Sequence, residues 1–213
     1  MHIEVFSDVV CPWCFIGKRR LDAVLAGAAG EGVSVSWRPY QLYPQMPEQG
    51  MDREAFMRAR FGDEVDAGQI YQRVLTEARS EGLDLHFDRI RTAPNTFRAH
   101  RLLSWAERSG RQHELAEVLF RFYFQDGRDV GDPAELAAAA EQAGLDAVAA
   151  AEMLAGHDEE DKVRSELSLA QAVGVTGVPF FVLAGRFAIP GAQPRETMSQ
   201  LISRARERLA EEA

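Results

Sequence analysis

The sequence predicts an α/β protein: a β-α-β unit at the start and a β-β-α unit at the end share one sheet, with a large all-helical insertion between them. Three observations lead to this. Period-two alternation occurs only near the two ends of the 213-residue chain. Helical spacing fills the stretch between Asp52 and Ala172. Two short apolar runs, 179–184 and 186–190, meet at Ala184-Gly185-Arg186, which reads as a hairpin.

In chain order, "HIEVFSDV" alternates Ile3 and Val5 with polar neighbours and stops at Ser7 and Asp8, as a strand does. From Pro12 to about residue 28 the apolar positions Phe15, Leu21, Val24 and Leu25 share a helix face, which Gly27 and Gly30 end. "VSVSWRPYQL" gives a second strand through Val33, Val35 and Trp37, parallel to the first if the crossover is right-handed. Helices are then expected near 52–62, 65–81, 95–109, 113–125, 133–143, 146–155 and 158–173, with no strand for over a hundred residues. Met198, Leu201, Ile202, Ala205 and Leu209 stripe a closing helix that opens near Pro194. The expected division is residues 1–45 plus 173–213 for the sheet-bearing part and 46–172 for the insertion.

Bulk composition narrows the function. Apolar residues make up 46% of the chain, enough for a sizeable core. A net charge of -9 argues against nucleic-acid and anionic membrane partners, since no basic cluster offsets it. The first residues lack a cationic segment followed by a long apolar run, and no apolar window reaches about 18 residues, so a cytoplasmic protein is expected.

Both cysteines of the chain lie in "VVCPWCFI". Cys11 precedes a helix whose first position is Pro12, and Cys14 lies one turn inside, so the sulfurs face the same side. Unpaired amides and the positive dipole end favour a thiolate at Cys11, the expected nucleophile. Cys14 is then the resolving thiol that attacks a mixed disulfide. Trp13 offers an exposed flat surface to a substrate. A zinc site would need a second ligand pair, which the five scattered histidines do not supply, so no metal is expected. A structural disulfide closing so short a loop would constrain the unfolded chain little.

In "GVTGVPFFVL", Pro179 stands at the mouth of a strand, where proline costs least. With a cysteine pair at the end of the same sheet, a cis Val178-Pro179 bond is expected, presenting the Val178 backbone to an extended substrate. Ser7 and Asp8, just before the cysteines, and Pro12 between them are further candidates for the substrate side, Asp8 also as a proton relay. Lys18 lies about 10 Å along the helix from Cys11. With Arg19 and Arg20 it reads as solvated charge. The four aromatics of "LFRFYF" at 119–124 are too many for one buried stripe, so most are core and one or two line an apolar groove.

"SDVVCPWCFIGKRRL", "APNTFRAHRLL" and "GVTGVPFFVLAGRFAIPGAQP" resemble the DsbA class of thioredoxin-fold oxidoreductases, most closely its FrnE-type subgroup, from about residue 3 to about 210. The resemblance implies a thioredoxin-like fold, Cys11 as nucleophile, Cys14 as resolving cysteine and Pro179 as the facing cis-proline. It implies no bound cofactor, with glutathione as a redox partner or co-substrate, and leaves a homodimer open. The partners implied are protein or small-molecule thiols and disulfides. The subgroup is also similar to 2-hydroxychromene-2-carboxylate isomerases and kappa-class glutathione transferases. Those relatives place a serine at the position of Cys11 and an Asp-Arg pair after a glycine; here Gly191 is followed by Ala192 and Gln193. Both departures favour dithiol chemistry. Asn95 resembles a residue of the glutathione-binding relatives that reaches toward the site, and as plain sequence is a good helix N-cap.

The leading expectation is a dithiol-disulfide oxidoreductase. The rival enzyme is a glutathione-dependent isomerase or transferase acting on an aromatic or polyketide-like small molecule. A non-enzymatic rival is a binding module that holds extended peptides at Pro179.

Overall fold

The structure is a computed structural model and describes residues 1–62, 67–172 and 174–212. Strand β1 (His2–Ser7) runs into helix α1 (Pro12–Leu25), and β2 (Ser34–Pro39) returns beside it. Pairing of β1 with β2 is parallel, Val5 opposite Trp37. The C-terminal strands β5 (Phe180–Leu183) and β6 (Phe187–Pro190) complete an order β2-β1-β5-β6, with both added pairings antiparallel. Alternation decides which side of β1 meets which layer: Ile3 and Val5 enter the main core, while Phe6 packs on the other face with Ala170 and Val175.

Between the halves of the sheet lie α2 (Arg53–Phe61), α3 (Ala67–Ser80), α4 (Phe97–Ala106), α5 (Gln112–Arg121), α6 (Pro133–Gln142), α7 (Ala147–Ala155) and α8 (Glu160–Ala172); α9 (Arg195–Glu211) closes the chain. Asp52, Asp132 and Asp146 cap α2, α6 and α7 by accepting backbone N–H bonds. The helix expected over 65–81 begins at positions 65 and 66, which lie outside the described residues, as does position 173, the expected end of the last insertion helix and the first residue of the second sheet-bearing segment. The insertion and the sheet share a continuous core: Phe15 of α1 stacks on Phe120 of α5 at 5.1 Å between ring centres, with the planes 10° apart.

Two expectations need correction. A short ladder, β3 (Met51–Asp52) with β4 (Thr92–Ala93), occurs where no strand was expected. Two residues per strand carry no readable period. Helix α5 also does not run evenly to 125, because Phe122–Asp126 forms a π-helical turn. The wider turn changes the facing of successive side chains, and Phe120, Phe122, Tyr123 and Phe124 are all buried, more than one α-helical stripe could hide.

The β5-β6 hairpin turns through Ala184 at φ 50° and Gly185 at φ 68°. Two left-handed residues match the twist of the strands, but alanine pays a Cβ penalty there. Ala184→Asn is expected to stabilise the fold by about 0.5–1 kcal/mol. A urea titration checks this by a higher midpoint at unchanged slope.

Candidate active site

Cys11 closes the loop between β1 and α1. Its N–H donates to Asp8 O at 3.0 Å, and its carbonyl accepts from Cys14 N at 3.0 Å and Phe15 N at 3.3 Å. With φ -93° and ψ 112° it is the extended residue that caps α1, followed by Pro12. Among the described residues no side chain caps these first amides, so the sulfur sits at the positive end of the helix.

Facing it is the loop before β5. The Val178–Pro179 peptide is cis. Cys11 Sγ–H donates to Val178 O at 3.6 Å, and Pro179 O accepts from Gly191 N at 2.8 Å. The proline ring rests on Gly17, two turns along α1 from the nucleophile position: a Cβ built there would stand 2.9 Å from Pro179 Cγ. This close approach explains why the position needs glycine.

Both thiols are free and buried, Cys11 at 4% exposure and Cys14 at 1%. The expected nucleophile is therefore closed off from bulk water, with its sulfur against the Val178 carbonyl. Burial raises the Cys14 thiol well above its ordinary value, and its hydrogen bond and charge interaction with Cys11 add to the rise. Ser7 and the Asp8 backbone act in the opposite direction without outweighing burial, so the proton stays on Cys14.

Beside Pro12 and Trp13 opens an apolar cavity of about 220 Å³, walled by Tyr43, Phe56, Tyr71, Phe124 and others. Burial raises the Tyr43, Tyr71 and Tyr123 hydroxyls, so the phenols in its wall stay neutral. The wall also carries Arg53, whose guanidinium donates to Tyr71 Oη. Trp13 is only partly exposed, with the Arg73 guanidinium over its ring at 5.6 Å from the centre, so the flat surface expected to be exposed is partly covered.

The other sequence candidates separate. Val178 and Pro12 stand at the thiols. Ser7 and Asp8 are buried, at 4% and 1% exposure. Asp8 Oδ2 accepts from Leu42 N at 2.8 Å, and Oδ1 stands 3.4 Å from His100 Nε2. Asn95 spends its amide locally, accepting from Phe97 N at 2.9 Å at the start of α4 and donating to Met46 O at 2.7 Å. It borders a separate polar groove with Arg98 and His157.

Lys18 and Arg20, expected to be solvated, are 3% and 6% exposed. Helix α1 is flanked on both sides, so its polar face is covered. Lys18 Nζ meets Asp22 at 2.8 Å and Glu117 at 3.1 Å; Arg20 pairs with Glu77 and Glu81 and donates to Ala192 O at 2.7 Å. Sequence reasoning also missed Gly17, Arg53 and His100, whose partners are distant along the chain. Among the described residues no group of three or more histidines, cysteines or carboxylates could hold a metal, and no helix is long and apolar enough to cross a membrane.

A free cysteine pair at a helix start, facing a cis-proline across the end of a β2-β1-β5-β6 sheet, defines a thioredoxin-like fold. The chain belongs to the DSBA-like thioredoxin domain family, which it matches over residues 2–203. A probable DsbA oxidoreductase from Streptomyces coelicolor is 34% identical, with a TM-score of 0.86 over 96% of this chain and 89% of that one. The uncharacterized protein YwbO of Bacillus subtilis is 28% identical across 95% of this chain and 96% of its own. The fold is shared with the cytosolic disulfide reductase DsbM from Pseudomonas aeruginosa solved with GSH, at a TM-score of 0.68 and 19% identity over 97% of this chain and all of that one.

Two outcomes follow from this geometry. In the reduced protein, iodoacetamide should modify Cys11 before Cys14, and mass spectrometry of the peptides should find Cys14 untouched until the chain is unfolded. The raised Cys14 value also makes the folded state bind a proton that the unfolded chain gives up above its ordinary value of 9.0. Stability of the reduced form is therefore complete below that pH and falls as pH rises past it. Denaturant midpoints in alkaline buffers should show the fall, and Cys14→Ser should lack it. A further outcome concerns Gly17→Ala, which should cost about 1–3 kcal/mol by thermal melting, because a rigid proline ring must move.

Proposed function

We propose that the protein is a cytoplasmic dithiol-disulfide oxidoreductase of the FrnE type. The observation that carries this reading is the order of the two sulfurs: Cys11 at the helix mouth against the Val178 carbonyl, and Cys14 beneath it, held protonated. The Cys11 thiolate attacks one sulfur of a substrate disulfide, forming a mixed disulfide while the other substrate sulfur leaves with the bond's electron pair. Cys14 loses its proton and attacks Cys11, closing the intramolecular disulfide and releasing the second substrate thiol. The substrate is reduced by two electrons and the cysteine pair oxidised by two; the reverse sequence oxidises a dithiol. Because Cys11 is only 4% exposed, the incoming disulfide must displace the Val178 strip, whose backbone then lies alongside the substrate.

Glutathione fits as redox partner, since a small thiol can regenerate the pair without an extended binding surface; the DsbM likeness supports this. No metal or nucleotide enters the cycle. A second reading, a glutathione-dependent isomerase or transferase, is favoured by one observation: the apolar, phenol-lined cavity beside Trp13 has room for a small aromatic molecule.

Equilibration in graded glutathione buffers, followed by alkylation of free thiols, separates the two. A single two-electron transition, abolished in Cys14→Ser, is expected. Independent titration of the two thiols, or full turnover of a small aromatic substrate by Cys14→Ser, would contradict dithiol cycling and support the second reading.

A further inference from the structure

We propose that the apolar cavity beside Pro12 and Trp13 selects the substrate of the dithiol reaction, a small disulfide whose sulfur is carried on an aromatic ring with an anionic group. Arg53 is the specificity-determining residue that receives the anion. The inference rests on the dithiol reading and names the substrate class of that same site.

Position and size point to a ring. Val10 and Pro12, the two residues bonded to Cys11, both line the cavity, and Trp13 stands in the same wall. A group attached to the sulfur that Cys11 attacks therefore has this cavity next to it. A cavity of about 150 Å³ holds one benzene ring. At about 220 Å³, this one holds a ring with a small substituent. Its walls are themselves aromatic: Tyr43 meets Phe56 edge-on at 4.8 Å between ring centres, and Tyr71 stacks on Phe87 at 3.9 Å.

Charge narrows the class further. Arg53 is the one charged side chain among the described residues of the wall, in a chain whose net charge is -9. Its guanidinium donates to Tyr71 Oη and lies 5.9 Å from the ring centres of Phe56 and Tyr71. Tyr71 Oη in turn donates to Met57 Sδ at 3.3 Å, so the phenol keeps its proton and does not offset the cation. Arg20, Arg38 and Arg101, also withdrawn from water, each meet a carboxylate. Arg53 meets none among the described residues, and the rest of its side-chain fork, shaped to hold a carboxylate, is unengaged there. At the mouth the Arg73 guanidinium over Trp13 adds a second positive charge. A neutral ring would desolvate Arg53 without pairing it, whereas a ring bearing a carboxylate supplies the missing partner.

The electrons balance as in the parent cycle. The Cys11 thiolate attacks one aryl-bound sulfur, and the other arylthiolate leaves with the electron pair of the broken bond. Cys14, giving up its proton, then attacks Cys11 and releases the second arylthiolate. Two electrons pass from the cysteine pair to the disulfide.

Stopped-flow absorbance of the released arylthiolate gives the rate at which reduced protein reacts with bis(para-carboxyphenyl) disulfide and with its uncharged carboxamide. Dividing each rate by that of free glutathione with the same disulfide removes intrinsic reactivity. The parent should prefer the carboxylate about tenfold, the size of one charge-assisted hydrogen bond. Arg53→Met should bring that preference close to unity. Phenylacetate should also compete with the carboxylate disulfide in the parent while phenylacetamide does not, which decides the matter if Arg53→Met fails to fold. Equal corrected rates in the parent, a preference that survives Arg53→Met, or no competition by phenylacetate overturns the inference and leaves the dithiol reading standing. Release of arylthiolate without closure of the Cys11–Cys14 disulfide, read by mass spectrometry, overturns both.

Discussion

Everything in the site depends on how helix α1 is seated. Its first turn carries the sulfurs, its second presses Gly17 against the Pro179 ring, and Phe15 stacks on Phe120 of the insertion. Because packed interiors transmit displacement instead of absorbing it, these contacts leave the helix little freedom to slide or rotate. The 3.6 Å contact between Cys11 Sγ and Val178 O is thus a property of the packing of several elements, and no loop sets it alone.

Electrostatics reinforce the seating at some cost. Lys18 and Arg20 are charges withdrawn from water, tolerable only because each meets two carboxylates. Burial alone would raise the Asp22 carboxyl, but the hydrogen bond from His113 and the Lys18 charge outweigh it and hold the carboxyl below its usual range. Arg20 joins α3 to the segment after β6 through Ala192, so one residue of α1 fixes the insertion and the end of the C-terminal hairpin together. Against this well-paired background, Ser7 Oγ and Asp8 Oδ1 stand out as buried oxygens without hydrogen-bond partners among the described residues.

Much of this was legible in the chain itself. Alternation at Ile3, Val5, Val35 and Trp37 marks strands because each half-buried face repeats every second residue, and the Cys11-Pro12-Trp13-Cys14 run carries its geometry locally. Legibility ends where a feature is assembled from remote positions. The ion-paired seat of α1 joins residues 18 and 20 to residues 77, 81 and 117, which no window contains. Lys18 and Arg20 read as solvent-facing because a helix pattern records which residues are polar, not whether neighbours cover them. Asn95 showed the opposite problem: it reads as a helix N-cap, but the cap position falls on Thr96, and Asn95 uses its amide one residue earlier on Phe97 N and on Met46 O, which is remote in sequence.

The outer strand β6 has a bearing on self-association. It is only four residues long and ends in Pro190, which lacks a backbone donor, and the chain leaves through Gly191 at φ 73°. A rim so short and poorly supplied with N–H groups gives a second copy scant template for continuing the ladder. The opposite rim, β2, is six residues long and likewise ends in a proline, Pro39, so the sheet closes on both sides with a residue that cannot donate to a further strand.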